Sequence, residues 1–383
     1  MINIWFNFAP SILTILLLQM ILFITLVFAL IIGFFLIMRQ PQFGKKPSGQ
    51  RLQRILKSPH YQNGAFQNRS PTPQLAEDTN MGKVVLRFLF GKIERKAPEQ
   101  KFNFEKTDLK NIHPDENVLI WFGHSSYFIQ VDGKKMLVDP IFSGHASPFS
   151  FSGKAMPGSD IYAVEDMPQL DYLIITHDHW DHLDYKTVKK LNSKVDKVIT
   201  GLGTGEHLEY WNYEPSKIIE LDWEENFDLG DGFKIHCETS RHFSGRSLKR
   251  DQSIWASFAL ITPTQKIYIG GDSGYDHHFK KIGEKFGGFD LAILETGQYN
   301  QDWKYIHMIP AEQLQAMNDL KAKRMLPVHH SKFVLATHPW DEPLKKITEM
   351  NTEKLKILTP KIGEKTIWED DLKNYERWWK AYD

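Results

Sequence analysis

The run Thr176-His177-Asp178-His179-Trp180-Asp181-His182 crowds three imidazoles and two carboxylates into six consecutive positions. It follows directly on Leu170-Asp171-Tyr172-Leu173-Ile174-Ile175, whose apolar character predicts a buried strand. The polar cluster therefore falls where that strand ends. Ionisable groups held against a core cost desolvation energy unless something pairs them. Imidazole and carboxylate are common ligands of divalent transition metals, zinc among them. His177 and His179, two positions apart, can pinch one ion. Asp181 and His182 face elsewhere and can hold a second. The competing reading is a solvated loop that is merely rich in histidine.

Two ions need more ligands than one loop supplies. His242 follows the alternating run Phe233-Lys234-Ile235-His236-Cys237-Glu238-Thr239-Ser240. Asp272 closes Ile267-Tyr268-Ile269-Gly270-Gly271, where the glycines let backbones approach closely. His329 closes Met325-Leu326-Pro327-Val328. A strand end gives rigid placement, and the loop beyond gives access. One such residue alone is more often structural; the repetition carries the argument.

In these positions the chain resembles the metallo-β-lactamase superfamily, whose signature is His-x-His-x-Asp-His followed by a later His, a later Asp and a final His. Four further segments resemble the N-acyl-phosphatidylethanolamine-hydrolysing phospholipase D group and its bacterial relatives. They are Trp121-Phe122-Gly123-His124-Ser125-Ser126, Leu137-Val138-Asp139-Pro140, Gly271-Asp272-Ser273-Gly274-Tyr275 and Lys304-Tyr305-Ile306-His307-Met308. The resemblance spans about Ser58 to Pro343. It implies that His177, His179 and His242 hold one zinc ion, that Asp181, His182 and His329 hold a second, and that Asp272 bridges them. His330 is a rival to His329, with an orienting or solvent-facing place as its other reading. Asp181 and Asp272 are then catalytic as well as ligating. Two such cations would ionise a shared water, and the hydroxide would attack a phosphodiester in line. His307 is a candidate for the leaving-group or phosphate side, since imidazole moves protons near neutral pH. A structural His capping a helix that starts near Pro310 explains it equally. His124 and Asp139 are candidates for orienting the ligands.

The amino end poses a separate question. Ser11 to Met38 contains no Asp, Glu, Lys or Arg. A bilayer core needs about 20 apolar residues in a helix, so residues 1–38 are expected to form a single transmembrane anchor. Arg39, Lys45, Lys46, Arg51, Arg54, Lys57 and Arg69 follow, with no acidic residue before Glu77. Basic flanks stay cytoplasmic, which places the catalytic domain on that side of the membrane. Residues 39–80, rich in Pro, Gly, Ser, Gln and Asn, are expected to be a basic flexible linker whose charge favours anionic lipid or only enforces topology. Gly82 to Lys96 mixes apolar and basic residues, which suits either a membrane surface or packing on the core.

Residues 81–383 are expected to form one hydrolase domain. Strands at Val118–Phe122, Tyr127–Val131 and Lys134–Val138 meander, with Asp132-Gly133 as a tight turn. Later strands mix with helices, among them one from Pro310 to Leu320. The pattern is α/β (α+β), two sheets flanked by helices, which the resemblance makes an αββα sandwich. Cys237 is the only cysteine, so no disulfide can form within the chain. A net charge of zero gives no electrostatic case for nucleic acid. The function expected is a membrane-anchored dinuclear zinc hydrolase acting on a phosphodiester, with N-acyl-phosphatidylethanolamine as the favoured phospholipid substrate. The alternatives are a lactone or other cyclic ester or amide at the same metals, iron in place of zinc, or a non-catalytic metal-binding membrane protein. The sequence leaves the oligomeric state open.

Overall fold

The computed structural model describes residues 12–382, so the first eleven residues of the expected anchor lie outside the described residues. Two units separate at Phe43 and Gly44. The first carries helix α1 (Ile12–Met38) and buries none of its residues. At 27 residues it spans about 40 Å, long and apolar enough to cross a membrane.

The second unit opens with helix α2 (Gly49–Lys57), the short hairpin β1 (Tyr61–Gln62) and β2 (Ala65–Phe66), and helix α3 (Met81–Phe90). Strands β3 (Val118–Trp121), β4 (Tyr127–Val131) and β5 (Lys134–Val138) follow as an antiparallel meander. At the β4–β5 turn, Asp132 and Gly133 both have positive φ, as a tight hairpin demands. Next come β6 (Leu170–Ile175), helix α4 (Tyr185–Leu191), β7 (Val195–Gly201), helix α5 (Gly205–Tyr210) and β8 (Ile218–Leu221). Strands β5 to β8 pair in parallel. The second sheet repeats the plan. Strands β9 (Asn226–Gly230), β10 (Phe233–Thr239), β11 (Ala256–Ile261) and β12 (Lys266–Ile269) are antiparallel. After helix α6 (His278–Phe286) come β13 (Leu291–Glu295), helix α7 (Pro310–Asp319), β14 (Met325–Val328), helix α8 (Glu342–Met350) and β15 (Lys365–Thr366). Strands β13 and β14 extend the second sheet in parallel, and β15 closes the first beside β3.

Side chains alternate across each strand, so each sheet has two faces to bury. Trp121, Ile129, Ile174, Ile235, Phe258 and Ile293 meet in the core between the sheets. The outer face of the first sheet packs on α4 and α5 through Leu173, Val188 and Leu208. The outer face of the second packs on α6, α7 and α8 through Tyr268, Phe279, Met317 and Ile347. The result is the αββα sandwich, preceded by one long apolar helix.

The segment expected to be a flexible linker is built differently. From Gly44 onward it belongs to the same unit as the sheets. Ile55 and Phe66 are buried. Arg51 meets Glu206 at 2.8 Å and Glu220 at 2.6 Å, and also reaches Glu209. Lys45 pairs with Glu206, Arg54 with Glu225, and Arg69 with Glu224. These basic residues are matched to carboxylates of the domain rather than held out for lipid. The composition is linker-like, but the segment finds its partners more than 150 positions along the chain.

Candidate metal centre

The strand ends of both sheets meet at one edge of the sandwich. Thr176, just past β6, anchors the histidine loop to Asp139, just past β5. Its N–H donates to Asp139 Oδ1 at 2.9 Å and its hydroxyl to Asp139 Oδ2 at 2.6 Å. Across the sandwich, Ala256 N–H donates to the Thr176 carbonyl at 3.0 Å. Gly271 has φ +61, and a side chain there would press on Ala256 O and Thr176, so the sheets can close only on glycine. The turn after β3 and the turn after β14 are also joined. His329 N–H donates to His124 O at 3.0 Å, and His124 N–H to His330 O at 2.8 Å. His124, Asp139 and His329 all hold left-handed backbone conformations. Such strain at non-glycine residues costs roughly 1–3 kcal/mol each and persists where surrounding contacts over-determine the geometry.

The expected ligands converge. His177 Nε2 and His179 Nδ1 lie 2.9 Å apart, and His242 Nε2 lies 3.1 Å from the latter. Asp272 Oδ2 sits centrally, 3.2 Å from both His182 Nε2 and His329 Nε2, 3.8 Å from His242 Nε2 and 3.9 Å from His177 Nε2. Asp181 Oδ2 lies 3.3 Å from His329 Nε2 and 3.6 Å from His182 Nε2. His124, expected only to orient, also joins this second group, with Nε2 2.8 Å from Asp181 Oδ2. His330 does not face the site. It is buried against the Trp121 ring, with Nε2 on Pro327 O, so its solvent-facing reading is corrected.

Outer hydrogen bonds dictate which ring nitrogen points inward. His242 Nδ1 donates to Ile306 O at 2.9 Å, which leaves Nε2 with its lone pair toward the centre. His182 Nδ1 meets Asp139 Oδ2 at 2.7 Å. The Thr176 hydroxyl spends its proton on Asp139, so at 3.1 Å it accepts from His177 Nδ1. His242 is further held by Asn68 of the amino-terminal segment, whose side chain donates to His242 O at 2.7 Å and accepts from His242 N–H at 3.2 Å. Asp178 turns away and serves as a buttress, accepting from Gly245 N–H at 2.7 Å and from the Ser253 hydroxyl at 3.1 Å.

Burial pushes the His177 and His242 imidazoles well below their ordinary pKa and His179 down to about 4, so these rings are neutral. Burial alone would also neutralise His182, but the Asp272, Asp181 and Asp139 carboxylates outweigh it and hold the ring well above its ordinary value. The Asp272 and Asp181 carboxyls are held well below the carboxylate range. Burial opposes this, and the surrounding imidazoles prevail, His182 foremost. Asp272 Oδ1 and His182 Nε2 are buried without a hydrogen-bond partner among the described residues. Neutral imidazoles with inward lone pairs repel one another, and an unpartnered buried polar atom costs about 1–3 kcal/mol. A divalent cation among these nitrogen and oxygen donors satisfies both conditions, so the residues fit the metal that the fold implies.

His307 lies beside this cluster and does not cap α7, where Glu312 accepts from Ile309 N–H at 3.0 Å. Its Nδ1 is 2.5 Å from Glu295 Oε2, and Glu295 Oε1 accepts from Met308 N–H at 2.7 Å. Burial, helped by the Asp272 charge, pushes the Glu295 carboxyl well up. Glu295 is a member of this group that the family signature does not contain. Yet it closes the apolar run Leu291-Ala292-Ile293-Leu294, the same signal that marks Asp272 and His329. A cavity of about 290 Å³ opens over His179, Asp181, His242, Asp272, His307 and His329. Its apolar wall includes Leu75, Val84, Phe88, Phe243, Trp303 and Ile306, and Arg250 also lines it.

A two-sheet sandwich with histidine and aspartate donors at its strand ends and a cleft above them defines a metal-dependent hydrolase of metallo-β-lactamase fold. Comparison with known proteins agrees. Residues 134–330 match the beta-lactamase superfamily domain, and the chain belongs to that family. An uncharacterized protein of Mycobacterium tuberculosis is 32% identical over 84% of this chain and 88% of its own length. The N-acyl-phosphatidylethanolamine-hydrolyzing phospholipase D 1 of Caenorhabditis elegans is 29% identical over 80% of this chain and 90% of its own. An isothiocyanate hydrolase from Delia radicum gut bacteria shares the fold, with a TM-score of 0.52 and 21% identity over 65% of this chain and 98% of that one.

Proposed function

We propose that this chain is a dinuclear zinc phosphodiesterase of phospholipase D type that cleaves N-acylated phosphatidylethanolamine. The reading rests on one observation: a histidine and aspartate donor set at the floor of a cleft whose walls are apolar. A phosphodiester carrying acyl chains matches both halves. The similarity to the nematode phospholipase D over nine-tenths of its length supports the same substrate class.

His177, His179 and His242 would hold one ion, Asp181, His182 and His329 the other, and Asp272 Oδ2 would be shared. When bound, such a pair of cations supplies an ionised water and polarises the bond under attack. The protein's own residues do the rest. Asp139, Thr176 and the Ile306 carbonyl keep the ring nitrogens aimed inward. Arg250 on the cavity wall gives the phosphate a counter-charge. His307 has Nδ1 committed to Glu295, so a proton given to the departing alkoxide leaves from Nε2. The apolar wall excludes water from the cleft. Helix α1 would tether the domain, and the basic residues that follow α1 support a cytoplasmic side for it. Protease added to spheroplasts should then leave the domain intact.

The deciding assay supplies purified full-length protein with N-acyl-phosphatidylethanolamine, a soluble phosphodiester and a lactone, each with and without chelator. Equimolar phosphatidic acid and N-acylethanolamine, abolished by chelator, is the expected result. A lactone that opens while the lipid stays intact would overturn the substrate class. His307→Gln should lower lipid turnover about 100-fold with metal content unchanged, and lower turnover of a p-nitrophenolate ester much less, because that leaving group needs no proton.

A further inference from the structure

The histidine loop is gripped at a second place besides Thr176. Arg246 is a buried cation, 4% exposed, that stands outside the cavity wall. Its Nη1 donates to Asp178 O at 2.8 Å and to Leu183 O at 2.6 Å, with His179 O at 3.5 Å. These carbonyls bracket the loop. Asp178 lies between His177 and His179, and Leu183 directly follows His182. The guanidinium also lies over the Trp180 ring, 4.0 Å from its centroid, and over the Trp211 ring at 5.3 Å. Trp180 in turn sits between His179 and Asp181. A flat cation that donates in its plane while its faces meet aromatic rings is fixed in orientation, and arginine alone among side chains does both. Burial pulls its pKa down to about 10, with the Asp178 and Asp184 carboxylates opposing, so the charge persists at neutral pH.

The other end of this clamp is equally fixed. Arg246 comes four positions after His242, the ligand of the first group that the histidine loop does not supply. Beside it, Gly245 N–H donates to Asp178 Oδ1 at 2.7 Å. Ser244 is pinned by Asp251, which accepts from Ser244 N–H at 3.1 Å through Oδ1 and donates its own N–H to Ser244 O at 3.1 Å. Asp178 is therefore gripped twice by the stretch that carries His242, once at its side chain and once at its main chain. His177 and His179 follow a strand of one sheet and His242 a strand of the other. Arg246 ties their two loops together within four residues of His242 and next to both other rings.

We propose that Arg246 is a positioning residue for the His177, His179 and His242 group, setting the spacing of the three rings and so the affinity of the ion they hold. This rests on the metal reading of the cluster and not on the lipid substrate. The test compares Arg246→Lys and Arg246→Ala with the parent, all as full-length protein. Arg246→Lys keeps the charge and loses the planar fork. It should weaken one zinc ion about 30-fold and leave the other within about threefold, in competition with a chromogenic chelator. The weakened ion should be the one that His242→Ala also loses. Hydrogen exchange of residues 176–183 should quicken in the metal-free variant, and at limiting zinc kcat should fall with KM unchanged. Arg246→Ala leaves space for a guanidinium ion. Added guanidinium, below denaturing concentration, should restore zinc affinity and the visible spectrum of the cobalt-loaded protein. Both ions weakened alike, with no rescue by guanidinium, would overturn the proposal in favour of general stability. A raised KM at unchanged zinc affinity would overturn it in favour of substrate contact. Should Arg246→Ala fail to fold, Arg246→Lys decides alone: unchanged zinc affinity with unchanged loop exchange contradicts the clamp. Faster loop exchange in Arg246→Lys, where the parent binds no zinc, would leave the clamp standing and sink the metal reading instead.

Discussion

The histidine loop after β6 and the amino-terminal segment from Gly44 to Asn80 serve one site by opposite means. The loop supplies donor atoms from neighbours in sequence, and its anchors, Thr176 and Asp139, sit at the ends of adjacent strands. The segment supplies almost no chemistry. Arg51 fastens it to three glutamates, and Asn68 grips the main chain of His242. Short-range clustering can thus gather ligands, but one of the rings that completes the cluster is steadied by a strap from far away in the sequence.

Substitutions can break or sharpen that contrast. The largest effect belongs to the centre. Asp272→Asn should remove at least one bound metal and lower lipid turnover by about 1,000-fold, measured by metal analysis and steady-state kinetics. Near-normal turnover would contradict its central place. A smaller effect belongs to the strap where it touches the site. Asn68→Ala should weaken metal binding roughly tenfold in a competition titration with a chromogenic chelator, because His242 loses its positioning contacts. Unchanged affinity would make the strap merely structural. The smallest catalytic effect belongs to the fastening itself. Arg51→Ala should lower stability by about 2 kcal/mol in denaturant titration, with kcat nearly unchanged. That contribution is pH-dependent with a defined sign. Burial works against the Glu206 carboxylate, but Lys45, Arg51 and Ser48 prevail and hold its pKa below the ordinary value. The stabilisation is therefore fully present above the ordinary carboxylate pKa and is lost as pH falls through the depressed one.

What could be foreseen divides along the same line. His242, Asp272, Glu295 and His329 each announce themselves as an ionisable residue closing an apolar run. Strand patterns that alternate or run continuously apolar carry two sheets flanked by helices, and the family resemblance makes of them an αββα sandwich. Residues 44–80 were not legible as part of the domain, because their basic residues look solvated until Glu206, Glu220 and Glu224 arrive from a distant stretch of chain. Nothing in Gly123-His124-Ser125 shows that the His124 turn is tied to the one holding His329, so the sequence alone marks His124 as an orienting residue. His330 shows the reverse: adjacent to a candidate ligand, it is turned into the core by the left-handed backbone of His329.

The most direct measurement is the metal content of the full-length protein, purified without chelator, alongside its hydrolysis of N-acyl-phosphatidylethanolamine. The account predicts about two zinc ions per chain, removed together with activity by a strong chelator and restored together by added zinc. A chain that binds no metal, or that keeps full turnover after its metal is stripped, would contradict it.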